Sequence, residues 1–350
     1  MTEAMPRALV LLLGAAATVI TVAGLKTIAW LAAPVLLALV IVIAVSPVHQ
    51  WLRRVGFPAW AATLVLVVLV YGTLITFAVV TFVSLAQLAA TLPRYADRYN
   101  GLVVDVTRAL RSMGIAPEQV RDALSTIDFG KIMPYIGAII RNLTGLTTSL
   151  IFLLALLLFL SVEATGVDAR LSDIAADRPQ VTAALLTFAR RTRSYLTVTT
   201  IFGLIIAVID AIALALLGIP LAVLWGLLSF VTNYIPNIGF LMGVVPPAVL
   251  ALLVGGWQLM LVVILIYWAV NFVVQSVIQP IYVGDSIGLS PVMTFVALVF
   301  WAWVFGPLGA LLAIPMTVLV MAVLVDSDPR AGWAAALTRR NKRSTRKDKL

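Results

Sequence analysis

The chain has no cysteine and a single histidine, His49, in 350 residues. Disulfides are therefore excluded, and metal sites built on cysteine or histidine have almost nothing to be made from. Charge is scarce too. Asp, Glu, Lys and Arg make up 11% of the residues, against roughly 25% in a soluble protein. No Gly-x-x-x-x-Gly-Lys loop occurs, so nucleotide hydrolysis by that route is excluded. The apolar core offers no acid pair and no Ser–His arrangement. No enzyme, cofactor or metal site is expected.

What is present is apolar: 62% of the residues are hydrophobic. A soluble domain could not bury that much surface. The alternating segments of about ten residues that mark a membrane barrel are absent. The expectation is an all-α, polytopic transmembrane helical bundle, with the lipid bilayer as its first partner. A spanning helix needs about 20 mostly apolar residues. Eight candidate segments meet this: 8–25, 28–46, 59–85, 143–162, 196–217, 220–255, 257–282 and 291–325. The first is longer than the roughly 7–15 residues of a signal core and leads straight into the second, so it is expected to be retained.

Five parts follow. Residues 1–92 hold three membrane helices, and 93–142 a polar, extracytoplasmic insert of short amphipathic helices. Residues 143–195 hold a fourth membrane helix and a cytoplasmic amphipathic helix in the interface. Residues 196–325 form a C-terminal membrane core, and 326–350 a basic tail. The net charge is +9, and eight Lys or Arg residues lie between Arg330 and Lys349. Beside so many apolar segments, such a tail reads as meeting anionic headgroups, not nucleic acid. Arg53 and Arg54, Arg190, Arg191 and Arg193, and the tail would all be cytoplasmic, as would both termini.

Two of the segments, 220–255 and 291–325, are too long for simple spans, and proline and glycine interrupt both. The first contains NYIPNIGFLMGVVPP, with Asn233, Pro236, Asn237 and Gly239 followed by Pro246 and Pro247. The second carries Gly306, Pro307, Gly309 and Pro315. The two align weakly at an offset of 70, which pairs Phe230 with Phe300 and Gly239 with Gly309. Irregular backbone at membrane depth survives when it is buried in protein or lines a watery cavity. Paired broken segments are the best pointer in a sequence to a transporter's binding site. A broken or re-entrant helix is expected in each, with a single kinked span as the alternative.

Between Arg193 and Asp326 the chain has two charged residues, Asp210 and Asp285. Asp210 sits near the middle of the fifth segment, where an ionised carboxylate costs about 2.5–3.5 kcal/mol on insertion scales. It shares a helix face with Thr199, Gly203, Ile206 and Ala213, a small and partly polar face suited to meeting another helix or a cavity. It reads as a proton or cation site, with a hydrogen-bonded structural aspartate as the alternative. Asn271, Gln275 and Gln279 recur every four residues and lead to Pro280 and the loop that holds Asp285. That stripe reads equally as a solute path or as amide glue between helices.

The stretches IPNIG, QPIYVG, GLSP and GPLGALLAIP together resemble the autoinducer-2 exporter family of bacterial permeases, most clearly over residues 185–325. The resemblance implies about eight membrane helices, no ATP hydrolysis, and secondary or passive transport of varied small polar solutes. Autoinducer-2 export is associated with some members and sodium–proton exchange with others. Many relatives carry an acid just before the Gln-Pro turn. Here that stretch is Val274, Gln275 and Ser276, so a cation role would be lost or moved to Asp210 or Asp285. A small polar solute, or a monovalent cation and a proton, is the expected cargo. A non-transporting scaffold is the rival, and large apolar faces leave room for a homo-oligomer.

Overall fold

The computed structural model describes residues 6–95, 98, 101, 104, 108, 150–236, 238–279 and 290–327. Among these residues all regular structure is helical, as the composition requires. The α-helices are α1 (Arg7–Thr27), α2 (Ala29–Arg54), α3 (Ala59–Thr91), α4 (Leu150–Glu163), α5 (Val167–Asp177), α6 (Pro179–Leu216), α7 (Ala222–Thr232), α8 (Gly239–Asn271), α9 (Pro291–Phe305) and α10 (Pro307–Met321). A π-helical stretch, Phe272–Ile278, continues α8, and another, Ala322–Asp326, continues α10. Five helices are long and apolar enough to cross a membrane: α2, α3, α6, and α8 and α10 with their π extensions. Shorter apolar helices accompany them. The polar insert expected at 93–142 and the basic tail lie almost entirely outside the described residues, and Asn237, Pro280 and Asp285 lie outside them altogether.

The chain divides into two interleaved compact units. One comprises residues 1–67, 152–197 and 285–350; the other comprises 68–151 and 198–284. Each contains one of the two long interrupted segments, and each segment folds back on itself.

In the first unit, Ser290 caps α9: its Oγ accepts a hydrogen bond from the Met293 backbone N–H at 3.2 Å, with Pro291 in the first turn. The chain reverses at Gly306 (φ 66°, ψ −147°), a conformation that favours glycine, and Pro307 opens α10. Buried Trp301 donates from Nε1 to Thr317 Oγ1 at 3.0 Å across the reversal. Two 15-residue helices joined this way form a hairpin. Each is about 22 Å long, short of the roughly 30 Å of a hydrocarbon core.

At one end of the same unit, Arg193 donates to Ser46 Oγ at 2.6 Å, and Arg191 pairs with Asp326 at 3.6 Å. The basic cluster of α6, the C-terminal half of α2 and the end of α10 thus lie at one level.

In the second unit, α7 runs for 11 residues, turns through 233–238 and returns as α8. The backbone of α8 breaks again at Gly256 (φ 79°, ψ −171°), where the sixth and seventh sequence segments were separated. Leu214, Trp225, Val244, Ala251, Val263 and Tyr267 form the buried apolar centre.

The long segments fold as hairpins, the broken form expected of them and not the single kinked span. Two expectations change. Pro246, Pro247 and Pro315 do not break the chain but lie inside α8 and α10, as membrane helices permit when neighbouring helices satisfy the freed carbonyls. The part boundary at 195–196 falls within one unbroken helix, α6. Residues 179–195 extend the fifth membrane helix because Ala184, Phe188, Thr192 and Tyr195 are buried against protein, so they do not form a separate surface helix.

Candidate functional site

The polar residues of the second unit converge at the turn between α7 and α8. Asn233 follows α7 and reaches α6, where its Nδ2 donates to the Thr199 carbonyl at 3.1 Å. Gly203, one turn along α6, makes room for it: a Cβ there would lie 2.7 Å from Asn233 Nδ2. Gln275, in the π-helical stretch, donates from Nε2 to Asn233 Oδ1 at 3.0 Å and to Asn271 Oδ1 at 2.9 Å. Asn271 Nδ2 in turn donates to the Tyr267 carbonyl at 2.9 Å. Beside this chain of amides, Thr200 Oγ1 and the Tyr234 hydroxyl share a hydrogen bond of 2.7 Å. Every group in the network is neutral. It ties α6, the turn and the end of α8 together.

Beneath the amides lies a second polar cluster. Asp210 on α6 is fully buried, as is Tyr267 on α8, and Ser229 on α7 nearly so. The Ser229 hydroxyl stands beside both the Asp210 carboxyl and the Tyr267 hydroxyl. Yet neither Asp210 oxygen, nor Ser229 Oγ, nor the Tyr267 hydroxyl has a hydrogen-bond partner of ordinary geometry. A cavity of about 10 Å³ lies against Ser229 and Tyr267, lined also by Thr232, Asn233, Gly243 and Asn271 among others. It has room for roughly one water molecule.

A description of known transporters fits this chain along nearly its whole length: a family model for the AI-2E family transporter matches residues 15–327. The chain belongs to the AI-2E transporter family. The AI-2 transport protein TqsA of Escherichia coli (strain K12) is 29% identical to it over 329 residues, covering 93% of this chain and 94% of TqsA. A protein of Haemophilus influenzae, also named for transport, is 30% identical over 333 residues, covering 93% of this chain and 95% of its own. Membership in the AI-2E family makes the protein a multi-pass membrane transporter, as the motifs of its C-terminal half suggest.

Of the residues singled out from the sequence, Asn233, Asn271 and Gln275 meet in the amide chain, and Asp210 lies beneath them. Gly239 begins α8 under the carbonyl of Thr232, so close that a Cβ would overlap its oxygen. Pro236 is in the turn and Gln279 ends the described stretch. Gly306, Pro307, Gly309 and Pro315 belong to the hairpin of the first unit. Gly309 lies under the Trp301 carbonyl as Gly239 lies under that of Thr232, so the aligned glycines do the same work in both hairpins. Ser229 and Tyr267 were missed, although the sequence carried signals for both. Ser229, Thr232 and Asn233 follow helical spacing on α7, and Tyr267 extends the four-residue stripe of Asn271 and Gln275 by one turn.

Proposed function

We propose that this AI-2E family member moves a small polar solute across the bacterial inner membrane by secondary or passive transport. The path would run past the amide chain in the second unit. The observation that carries this reading is the neutral network of Asn233, Gln275 and Asn271 at a broken helix inside an otherwise apolar unit. Amides placed at such a break can exchange their hydrogen bonds for those of a solute. The name of the Escherichia coli relative favours autoinducer-2 as the first solute to try. No enzymatic step is involved.

The orientation follows from charge. If each hairpin returns to the side it enters, the first five segments and the seventh cross. Arg53 and Arg54, the arginines of α6 and the C-terminal tail then share the cytoplasmic face. The contacts of Arg193 with Ser46 and of Arg191 with Asp326 support a shared level for these regions.

A second reading, exchange of a monovalent cation for protons through Asp210, is favoured by one feature: the carboxyl group is fully buried in an otherwise apolar unit, with a hydroxyl and no basic group beside it. One experiment separates the readings. Proteoliposomes are loaded with autoinducer-2 and a pH-sensitive dye, and efflux and internal pH are followed under an imposed sodium gradient. Autoinducer-2 efflux that falls about tenfold or more in Asn233→Leu, with no sodium-driven pH change, supports the solute path. A sodium-driven pH change abolished by Asp210→Asn supports exchange. Neither signal from folded protein would favour a non-transporting scaffold.

A further inference from the structure

A solute that passes the amide chain must find room there, and the structure gives almost none. The cavity beside the amides measures about 10 Å³, enough for one water molecule. Some element must move. Three walls enclose the cavity: Ile206 on α6, Ser229, Thr232 and Asn233 on the hairpin, and Tyr267 and Asn271 on α8 beyond Gly256. Of these, the hairpin arm 222–255 is the one built to swing.

Its two limbs form one body, because Gly239 starts α8 directly beneath the Thr232 carbonyl and closes the turn tightly. Both ends of this body meet positive-φ residues. Leu221, at φ 62° and ψ 32°, leads into α7, and Gly256, at φ 79°, ends the return. A left-handed leucine is strained backbone, and such outliers gather at switch regions. Hinges are element ends that absorb a change in φ and ψ. Near this base the hairpin bears on α6: a Cβ on Gly226 would lie 2.7 Å from the Ala207 carbonyl oxygen and 2.8 Å from the Ala211 Cβ. The tip is held differently. Asn233 donates to the Thr199 carbonyl, Tyr234 shares a hydrogen bond with Thr200, and Gln275 donates to Asn233. These bonds join neutral groups, and each is worth little net once water can replace it. The base is a packed pivot and the tip a polar latch.

We propose that the hairpin arm 222–255 is a gate on the solute path, hinged at Leu221 and Gly256 and latched at its tip by Asn233, Tyr234 and Gln275. The latch is closed in this structure. Thr199 follows Arg193 on α6 by less than two helical turns, about 9 Å. With the arginines of α6 cytoplasmic, the tip therefore opens towards the cytoplasm. The gate's role rests on the solute path proposed above; its motion is measured without flux.

The test uses the purified full-length chain in detergent, which has no native thiol. Ser229→Cys puts one thiol in the cavity wall under the latch, and its rate of labelling by methyl methanethiosulfonate reports opening. A Cβ at Gly203 would lie 3.4 Å from that of Asn233, close to the roughly 3.5–4.5 Å that a disulfide spans. Gly203→Cys with Asn233→Cys, oxidised, therefore locks the tip to α6. Labelling of Ser229→Cys should slow by about tenfold or more in the locked chain. Thr200→Val with Gln275→Leu removes latch bonds and should speed it about tenfold. This unlatched pair decides the matter if the locked chain does not fold. Labelling that ignores either change in folded protein overturns the gate. In proteoliposomes, autoinducer-2 efflux should fall about tenfold or more on locking and return with dithiothreitol. Efflux that persists through the lock overturns the gate's place on the path. A wild type without efflux but with this labelling pattern upholds the gate's motion and removes the solute reading instead.

Discussion

Gln275 donates a hydrogen bond of 3.0 Å to the side-chain oxygen of Asn233, 42 residues earlier in the chain. This contact fastens the π-helical end of α8 to the turn from which α8 itself begins. It spans two places where regular helix fails: the turn through 233–238 and the π stretch Phe272–Ile278. Such π segments recur at functional sites because they re-aim side chains that a regular helix would carry past. Here the side chain so aimed is Gln275, which spends its amide hydrogens on Asn233 and Asn271.

The Asn233–Gln275 contact should be measurable as a coupling energy. In a double-mutant cycle of Asn233→Ala and Gln275→Ala, each single change is expected to lower stability by about 1–3 kcal/mol, because partners in the network lose their hydrogen bonds. The two losses should fall short of additive, with a coupling of about 0.5–3 kcal/mol. Thermal unfolding in one detergent gives all four values. Additive losses would mean that the two amides do not interact.

Gly239→Ala and Gly309→Ala should damage the two hairpins alike. In each, the new Cβ meets a backbone carbonyl of the preceding helix, Thr232 in one and Trp301 in the other. A backbone oxygen cannot swing aside as a side chain does, so the hairpin must open. The expected cost is about 1–3 kcal/mol or more in each case. Gly14→Ala is the control: nothing lies within 4 Å of its added Cβ, and in mid-helix it should stabilise by roughly 0.5–1 kcal/mol. Unfolding midpoints of the three variants decide the matter.

The first unit's hairpin has its own lock. Trp301 donates to Thr317, whose hydroxyl in turn donates to the Ala313 carbonyl at 2.7 Å. Both side chains are buried. Thr317→Val preserves shape but leaves the indole N–H unpaired, and should cost about 1–3 kcal/mol. Adding Trp301→Phe removes the orphaned donor. The double variant should recover part of that loss, apart from the packing lost with the smaller ring. No recovery at all would mean that the hydrogen bond contributes nothing net.

How much of this was legible beforehand depended on the kind of signal. Helical class and membrane embedding follow from hydropathy, which sums over many residues and tolerates local error. The breaks at 233–238 and Gly306 were visible as clustered proline and glycine. That the chain reverses there was not visible, because one positive φ at Gly306 and the fit of Gly239 beneath Thr232 depend on the partner helix. Prolines 246, 247 and 315 misled for the same reason: a packed neighbour decides whether proline breaks a helix. Asp210 stood out by its isolation as a charge. Its companions Ser229 and Tyr267 did not, since a serine or tyrosine in an apolar run is common, and only the fold brings these two to one carboxylate.

The absence of cysteine makes orientation directly testable. Single cysteines can be introduced without interference from native thiols. Val55→Cys follows α2 and Ser327→Cys follows the end of α10, whereas Ile28→Cys lies at the other end of α2. Ile28 and Val55 are exposed, so neither change disturbs a core. If the arginine-rich level of the first unit faces the cytoplasm, a membrane-impermeant thiol reagent added to intact spheroplasts should label only Ile28→Cys. In inside-out vesicles, Val55→Cys and Ser327→Cys should react instead. Labelling of Val55→Cys and Ser327→Cys from opposite faces would break the shared level on which the orientation depends. It would mean that one of the two hairpins crosses the membrane an odd number of times.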